Sequence, residues 1–131
     1  MAKPIHSMIR VFNPEKSISF YKLALGMHVE ARFDFANFSL IYLRGEDNVF
    51  ELELTYNHDQ NAPYEHGNAY GHLAVTVDDL EQHHQFLLDS GLSPTDIKTM
   101  SYENTPMASF FFITDPDGYK IEVLKRFGRF L

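Results

Sequence analysis

Hydrophobic and polar residues alternate along several short segments of the chain, which is the pattern of half-buried β-strands. Residues 6–11 and residues 72–77 show it most clearly, and each of these segments begins with a histidine, His6 or His72. In both, an apolar face opposes a more polar face that carries the histidine. Each segment is followed by the start of a helix, so the chain is predicted to consist of two related halves.

The two predicted helices begin and end with similar signals. Asn13 and residues 78–79 are suited to cap helix N-termini, and Pro14 suits a first helical position. Both helices are predicted to end at a glycine, Gly26 or Gly91. The side chains predicted to face the core are Ile18, Tyr21, Leu23 and Leu25 in the first helix, and Leu80, Phe86 and Leu87 in the second.

Strand-rich sequence follows each glycine, with turns predicted at residues 45–48 and 115–118. Each half therefore reads as a β-α-β-β-β module. The modules, about 4–57 and 70–125, are joined by a polar linker at residues 58–70. The prediction is one α+β domain over residues 1–131, in which the paired modules form curved mixed sheets around a metal site. The remaining predicted strands lie near residues 28–35, 38–44 and 49–57 in the first half, and 94–98, 107–113 and 119–124 in the second.

Composition excludes several classes of function. The 131 residues carry a net charge of −7, which argues against a nucleic-acid surface. Cysteine is absent, which excludes disulfides, thiolate catalysis and cysteine-ligated zinc. No apolar run is long enough to cross a membrane, and the first four residues are too few and too polar for a signal peptide. We therefore expect a soluble cytoplasmic protein with no nucleic-acid or membrane partner.

Four residues stand at equivalent places in the two halves. His6 and His72 open the first strands, and Glu53 and Glu122 lie in the last strands. Strand alternation puts each of them on the more polar face, opposite an apolar face that would pack on a helix. Unpaired polar groups on a shared inner face would be costly, and a divalent cation removes that cost.

This donor set limits the metal and suggests its chemistry. Two imidazoles and two carboxylates suit Ni²⁺, Co²⁺, Zn²⁺, Mn²⁺ or Fe²⁺, and an octahedral ion would keep two positions open. Such an ion can polarise a carbonyl, while a neighbouring carboxylate moves a proton between adjacent carbons.

The other histidines, the two carboxylates at residues 115–118 and the run of phenylalanines are interpreted as structural features and not as ligands. His83 and His84 are adjacent on a helix and should point apart, so we expect a solvated face. His28, His58 and His66 have no partner at a useful spacing and are expected on the surface. Residues 115–118 contain two carboxylates but lack a calcium loop, which favours a hairpin turn. Residues 110–112 are three phenylalanines, and a strand with alternate rings in the core is expected.

Several motifs together resemble the glyoxalase I (lactoylglutathione lyase) family of the vicinal oxygen chelate superfamily, whose members are built from paired β-α-β-β-β modules. The similarity runs from about residue 5 to residue 125. The motifs that carry it are HSMIRV at 6–11, SISFY at 17–21, LGM at 25–27, ELTYN at 53–57, AYGH at 69–72 and DPDGYKIE at 115–122.

The resemblance implies an activity. Enzymes of the family isomerise the hemithioacetal of methylglyoxal and glutathione to S-lactoylglutathione, with glutathione as co-substrate. Glu122 matches the principal proton-transfer base, and Glu53 matches the residue on the other side of the substrate. Arg10 and Asn57 match groups that hold the γ-glutamyl end of glutathione.

The resemblance also implies a metal site shared by two subunits. His6, Glu53, His72 and Glu122 match the family's metal ligands. In short bacterial members, His6 and Glu53 of one chain would complete a site with His72 and Glu122 of the partner subunit in a homodimer. Short members prefer Ni²⁺ or Co²⁺ over Zn²⁺, so the expected metal is Ni²⁺.

Two departures from the family pattern leave other functions open. The family carries a Lys-Gly loop that holds the glycine carboxylate of glutathione, whereas residues 100–106 here contain Glu103, which would repel a carboxylate; position 68 is Asn where some members have Arg. A different thiol adduct or another α-hydroxycarbonyl substrate is one alternative. An epimerase or dioxygenase of the same superfamily is another. A binding module that sequesters a small ligand is the third, although such modules usually lose the metal ligands.

Overall fold

The computed structural model describes all 131 residues and contains two helices and eight strands. No helix is both long enough and apolar enough to cross a membrane. In chain order the elements are β1 (His6–Arg10), α1 (Pro14–Leu25), β2 (His28–Asp34), β3 (Phe38–Arg44), β4 (Glu51–Asn57), β5 (His72–Val77), α2 (Leu80–Asp89), β6 (Lys98–Tyr102), β7 (Thr105–Thr114) and β8 (Lys120–Lys125).

The chain divides into two compact units, Met1–Gly67 and Asn68–Leu131. Each unit contains one β-α-β-β-β module with its own four-stranded mixed sheet, ordered β1-β4-β3-β2 in the first and β5-β8-β7-β6 in the second. In both sheets the first and last strands of the module pair in parallel, and the other pairs are antiparallel. The predicted α+β fold of paired modules is confirmed, while the description of residues 1–131 as one domain stays a prediction.

In the first unit α1 covers the apolar face of the sheet. Asn13 caps the helix by accepting a hydrogen bond from the backbone N–H of Lys16, and Gly26 ends it with a φ of 66°. The prediction that Leu23 faces the core is wrong, because this side chain is 46% exposed. With 3.6 residues per turn, two residues correspond to a rotation of about 200°, so Leu23 lies on nearly the opposite side of the helix from Tyr21. The buried helix residues are Pro14, Ser17, Phe20, Tyr21 and Ala24.

In the second unit α2 contributes Leu80 and Leu87 to the core, as predicted. The prediction for Phe86 is wrong, since its side chain is 45% exposed. Of these two neighbours only Leu87 points into the core. The central ring of the phenylalanine run, Phe111, is fully buried between partly exposed neighbours, which confirms a strand with alternate rings in the core.

The hairpin of β6 and β7 differs from the prediction. The strand expected at residues 94–98 is found at Lys98–Tyr102, and β7 begins at Thr105. Only Glu103 and Asn104 separate the two strands, with φ values of 49° and 65°. Positive φ at both residues is typical of the type I′ turns that close two-residue hairpins. The residues compared above with the family's Lys-Gly loop therefore form a tight hairpin.

The turn predicted at residues 115–118 is confirmed. The carboxylate of Asp115 is buried and accepts hydrogen bonds from the backbone N–H groups of Asp117 and Tyr119, at 2.8 and 2.9 Å. These bonds satisfy the carboxylate within the turn and fix the start of β8, the strand that carries Glu122.

Candidate metal centre

The first module brings His6 and Glu53 together on one face of its sheet. β1 and β4 run in parallel, with Met8 opposite Glu53, so the histidine lies two residues before the position opposite the carboxylate. The Nε2 atom of His6 lies 3.2 Å from Oε2 of Glu53. The carboxylate side chain is only 12% exposed, whereas the imidazole is 36% exposed and presents an edge to solvent.

The second module repeats this arrangement with His72 and Glu122. Ala74 of β5 lies opposite Glu122 of β8, so the histidine again lies two residues before the position opposite the carboxylate. The Nε2 atom of His72 lies 3.7 Å from Oε2 of Glu122, and the side chains are 39% and 18% exposed. The two pairs therefore share their strand register and have similar exposure.

The spacing within each pair fits two ligands of one metal ion. Metal–nitrogen and metal–oxygen bonds of about 2.1 Å place neighbouring donors about 3.0 to 3.4 Å apart in octahedral or tetrahedral geometry. The observed separations of 3.2 and 3.7 Å are close to this range. Each pair joins an imidazole nitrogen to a carboxylate oxygen, a combination suited to borderline divalent ions.

The four predicted ligands form two pairs, one in each module. No group of three or more His, Cys, Asp or Glu side chains in the chain is arranged to hold a metal ion. The donors of each module thus form half of the four-ligand set predicted from the sequence.

Each pair is flanked by an aromatic ring that the sequence pattern did not predict to lie at the site. Tyr42 of β3 lies opposite Glu53 in the antiparallel register, and Phe112 of β7 lies opposite Glu122. Each ring meets the histidine of its module edge to face, with centroids 5.8 Å apart for Tyr42 and 5.3 Å apart for Phe112. The two rings stand at equivalent positions of the repeat, so an alignment of the two halves extended to β3 and β7 could have found them.

Tyr42 and Glu53 project from the same face of the sheet, because they lie directly opposite each other on paired strands. Interaction of the phenol with the carboxylate of Glu53, together with burial, raises the pKa of Tyr42 above its ordinary value.

Arg10 and Asn57, predicted to bind substrate, lie towards the same end of the first sheet. Arg10 ends β1 opposite Thr55, and Asn57 ends β4 two residues further on. Alternation puts both on the face that carries Glu53. The side-chain amide of Asn57 donates a hydrogen bond to the hydroxyl of Tyr64, over 3.2 Å. Tyr64 lies in the segment interpreted as a linker, so nothing in the strand pattern pointed to it.

The prediction of a solvated face for His83 and His84 is wrong. Both are half-buried, and both rings contact Phe111, with centroids 6.5 and 4.9 Å from it. His84 is further held by a 2.8 Å hydrogen bond from its Nε2 to the carbonyl of Thr95. Two adjacent helical side chains can flank one ring that lies directly beneath the helix.

His28 and His58, which were predicted to lack partners, each have one. His28 is paired with Glu30 of its own strand at 3.1 Å, and the Nε2 atom of His58 lies 2.9 Å from the hydroxyl of the buried Ser39. Both are exposed, as predicted. Glu30 is on the same face of β2 as His28, and the pairing of β3 with β4 brings Ser39 close to His58. The positions of the histidines along the chain did not indicate these contacts.

Residues 3–123 match the model of the Glyoxalase/Bleomycin resistance protein/Dioxygenase superfamily, and the chain belongs to this superfamily. Within it, the chain is similar to enzymes named lactoylglutathione lyase. It is 39% identical to that of Neisseria meningitidis serogroup A over 127 residues, covering 93% of this chain and 89% of the relative. It is 37% identical to that of Haemophilus influenzae over 126 residues, covering 92% and 90%.

Among solved structures, the chain is similar to the trypanothione-dependent glyoxalase I of Leishmania major. The two share 31% sequence identity and superpose with a TM-score of 0.74, over 95% of this chain and 87% of the other. The family resemblance found in the sequence motifs is thereby confirmed.

Proposed function

We propose that this protein is a lactoylglutathione lyase that isomerises the hemithioacetal of methylglyoxal and glutathione to S-lactoylglutathione. The observation that carries the proposal is the repeated His–Glu pair, with the same register in both modules and donor separations of 3.2 and 3.7 Å. The similarity to lactoylglutathione lyases over nearly the whole chain supports it.

The proposed ligands of a divalent metal are His6 and Glu53 from one chain, with His72 and Glu122 of the partner subunit. Each module supplies two donors, and the resemblance to the family implies that the other two ligands of each site come from the partner subunit of a homodimer. The metal proposed from the resemblance is Ni²⁺, with Co²⁺ or Zn²⁺ as alternatives. When bound, the ion would polarise the substrate's oxygen atoms and stabilise the negative charge that develops on them.

The chemistry assigned to the protein is the transfer of the carbon-bound proton between adjacent carbons. In this proposal the carboxylate of Glu122 takes the proton from the carbon that bears sulfur and returns it to the adjacent carbon. The hydroxyl oxygen of the thiohemiacetal carbon loses its proton and the adjacent carbonyl oxygen gains one. The first carbon thereby becomes the thioester and the second the alcohol, and the reaction needs no external oxidant or reductant. Glu53 lies on the other side of the substrate.

Arg10 and Asn57 are proposed to bind the γ-glutamyl end of glutathione. Their place on the Glu53 face supports this role, and the guanidinium of Arg10 can pair with a carboxylate. The hydrogen bond from Asn57 to Tyr64 would orient the amide before substrate arrives. A cytoplasmic location stays a prediction from the sequence.

The test is thioester formation from methylglyoxal and glutathione after loading the metal-free protein with Ni²⁺, Co²⁺ or Zn²⁺ in parallel. Glu122→Gln should abolish turnover. The matched control is Glu51→Gln, because Glu51 is on the same strand face as Glu53 but is paired with Arg44. A fully loaded protein that forms no thioester with any common thiol would refute the proposal.

A thiol other than glutathione is the second candidate co-substrate. The tight β6–β7 hairpin places the acidic Glu103 at its tip, where the family carries a Lys-Gly loop for the glycine carboxylate. The Leishmania relative is described as trypanothione-dependent. Parallel assays with the methylglyoxal adducts of glutathione and trypanothione distinguish the two, since kcat/KM would be higher for the adduct that the site accepts.

A further inference from the structure

A hydrogen-bond network in the first unit lies on the reverse face of the sheet from the proposed metal ligands. The buried hydroxyl of Ser39 is 2.5 Å from Oδ1 of Asp34 and 2.9 Å from Nε2 of His58. The other ring nitrogen of His58, Nδ1, is 3.2 Å from the backbone carbonyl oxygen of Ala36. Strand alternation puts Ser39 on the face of β3 opposite Tyr42, so the network lies behind the proposed site and not in it.

The positions of the protons in this network follow from its donors and acceptors. The single hydroxyl proton of Ser39 is directed at Asp34, because 2.5 Å is the separation of an O–H···O⁻ hydrogen bond to a carboxylate. The hydroxyl oxygen therefore accepts a hydrogen bond from Nε2 of His58. A carbonyl oxygen can only accept, so Nδ1 donates to Ala36. Both ring nitrogens donate at once only in the imidazolium form of His58.

The charges around the network favour the ionised carboxylate of Asp34 that this assignment requires. Arg32 lies between Asp34 and Glu15 of α1, with Nε 3.1 Å from the former and Nη1 2.9 Å from the latter. The hydrogen bond from Ser39, followed by that from Arg32, lowers the pKa of Asp34. Charges alternate from Glu15 through Arg32 and Asp34 to the imidazolium of His58, so each is next to one of opposite sign.

His58 joins two segments of the first unit beside the proposed substrate-binding residue Asn57. Its ring and its backbone N–H hold the carbonyl oxygens of Ala36 and Asn37, at 3.2 and 2.9 Å. Both belong to the tip of the β2–β3 hairpin, residues 35–37. His58 directly follows Asn57, which lies opposite Phe38 in the β3–β4 register. The hairpin tip is thus fastened to the chain one residue beyond Asn57.

Few core contacts hold this hairpin tip. The N–H of Phe35 donates to the carbonyl of Phe38 over 2.8 Å, and the two rings stack with centroids 4.8 Å apart. Both side chains are exposed, by 50% and 37%, so burial contributes little to their order. The position of the tip therefore depends strongly on the hydrogen bonds that it receives from His58.

We propose that His58, in its imidazolium form, is a positioning residue that fastens the tip of the β2–β3 hairpin to the end of β4 and so holds Asn57 in place for the γ-glutamyl end of the substrate. Its ring lies on the reverse face of the sheet, so it acts through Asn57. This inference rests on the proposed function for its substrate part only. The fastening of the hairpin can be measured without any substrate.

The first measurement is hydrogen exchange in the substrate-free protein, followed by NMR at a single pH. His58→Gln should lower the protection of the Phe35 amide about ten-fold, the effect of losing a hydrogen bond that holds the tip. His28→Gln is the matched control, because His28 is an exposed histidine of the same sheet that is paired with Glu30. It should leave the protection of the Phe35 amide unchanged.

The second measurement is the ¹⁵N NMR spectrum of the imidazole of His58 at pH 7. Both ring nitrogens should carry a proton in the wild type. Asp34→Asn removes the carboxylate, so the hydroxyl proton of Ser39 can turn to Nε2, and one ring nitrogen should then be unprotonated. Tyr56→Phe is the control, because its ring lies 5.0 Å from that of His58 while its hydroxyl has no part in the network.

The third measurement separates positioning of Asn57 from a general structural role. His58→Gln should lower kcat/KM for the methylglyoxal adduct of glutathione about three- to ten-fold, mainly through KM. The adduct of N-acetylcysteinylglycine lacks the γ-glutamyl amine and carboxylate, so its kcat/KM should be the same in the variant and the wild type. A merely structural role of His58 predicts equal losses for both adducts.

Three results would overturn the inference. They are an unchanged protection of the Phe35 amide in His58→Gln, a neutral ring of His58 at pH 7 in the wild type, and equal losses of kcat/KM for the two adducts. If the wild-type protein forms no thioester with either thiol, the proposed function fails. The exchange and ¹⁵N measurements still decide whether His58 fastens the hairpin.

Discussion

The imidazole Nε2 of His6 lies 3.2 Å from the carboxylate Oε2 of Glu53, on neighbouring parallel strands of one sheet. The backbone register sets this distance, because both side chains project from the same face. The donor pair therefore exists before a metal arrives, and substitution of either member should impair binding without disturbing the sheet.

His6→Ala should reduce Ni²⁺ affinity by more than about 100-fold, since loss of a direct ligand exceeds the effect of losing its supporting contacts. Metal content per chain after dialysis measures this directly. His28→Gln is the control, because His28 is an exposed histidine of the same sheet, paired with Glu30. Equal metal content in His6→Ala and the wild type would remove His6 from the ligand set.

Mixing two inactive variants tests whether sites are shared between subunits. His6→Ala and His72→Ala should each be inactive alone. After co-refolding, half of the dimers would be mixed and each would carry one intact site, so activity should recover to about a quarter of the wild type. Thioester assays on the mixture measure it. Sites completed within a single chain predict no recovery.

Tyr64→Phe should raise KM for the glutathione adduct by about two- to ten-fold and leave kcat nearly unchanged. The variant removes the hydroxyl that accepts the 3.2 Å hydrogen bond from Asn57, so the amide loses orientation while the reacting atoms are untouched. Steady-state kinetics separate the two parameters. A fall in kcat at constant KM would place Tyr64 in the chemistry instead.

Ser39→Ala should bring the pKa of Asp34 back towards its ordinary value of 3.8. The Ser39 hydroxyl, followed by Arg32, holds the pKa of Asp34 below that value. A lowered pKa stabilises the fold fully above the ordinary value, and this contribution is lost as pH falls through the lowered one. NMR titration of the Asp34 carboxyl checks the shift, and an identical titration curve in the variant would contradict it.

Leu54→Ala should destabilise the protein by about 2 to 5 kcal/mol, as is usual for a large-to-small change in a core. Leu54 is fully buried beside Glu53 in β4. Leu23→Ala provides the contrast, because Leu23 is 46% exposed and its loss should cost under about 1 kcal/mol. Chemical denaturation gives both free energies of unfolding, and similar values for the two variants would contradict the burial seen here.

The sequence predicted correctly those features that depend only on interactions between residues close together in the chain. Asn13 and Gly26 set the ends of α1 through capping and a left-handed φ, and both act within a few residues. The β6–β7 hairpin was misplaced because its turn residues, Glu103 and Asn104, are not the Asn-Gly or Asp-Gly pair that marks such turns most strongly. The inward face of each helix was predicted only in part, since an apolar Leu23 on the outer side looks the same in sequence as one in the core.

The repeat, the alternation of its strands and the four residues of the His–Glu pairs were all determined by the sequence, because a period of two residues fixes the face of each side chain. Which side chains lie across from one another was decided by the tertiary structure. The contact of Tyr42 with Glu53 depends on the register of β3 against β4, and that of His84 with Phe111 depends on how α2 lies on its sheet. Register and packing arise from all the contacts of a sheet at once, and no short segment of sequence contains them.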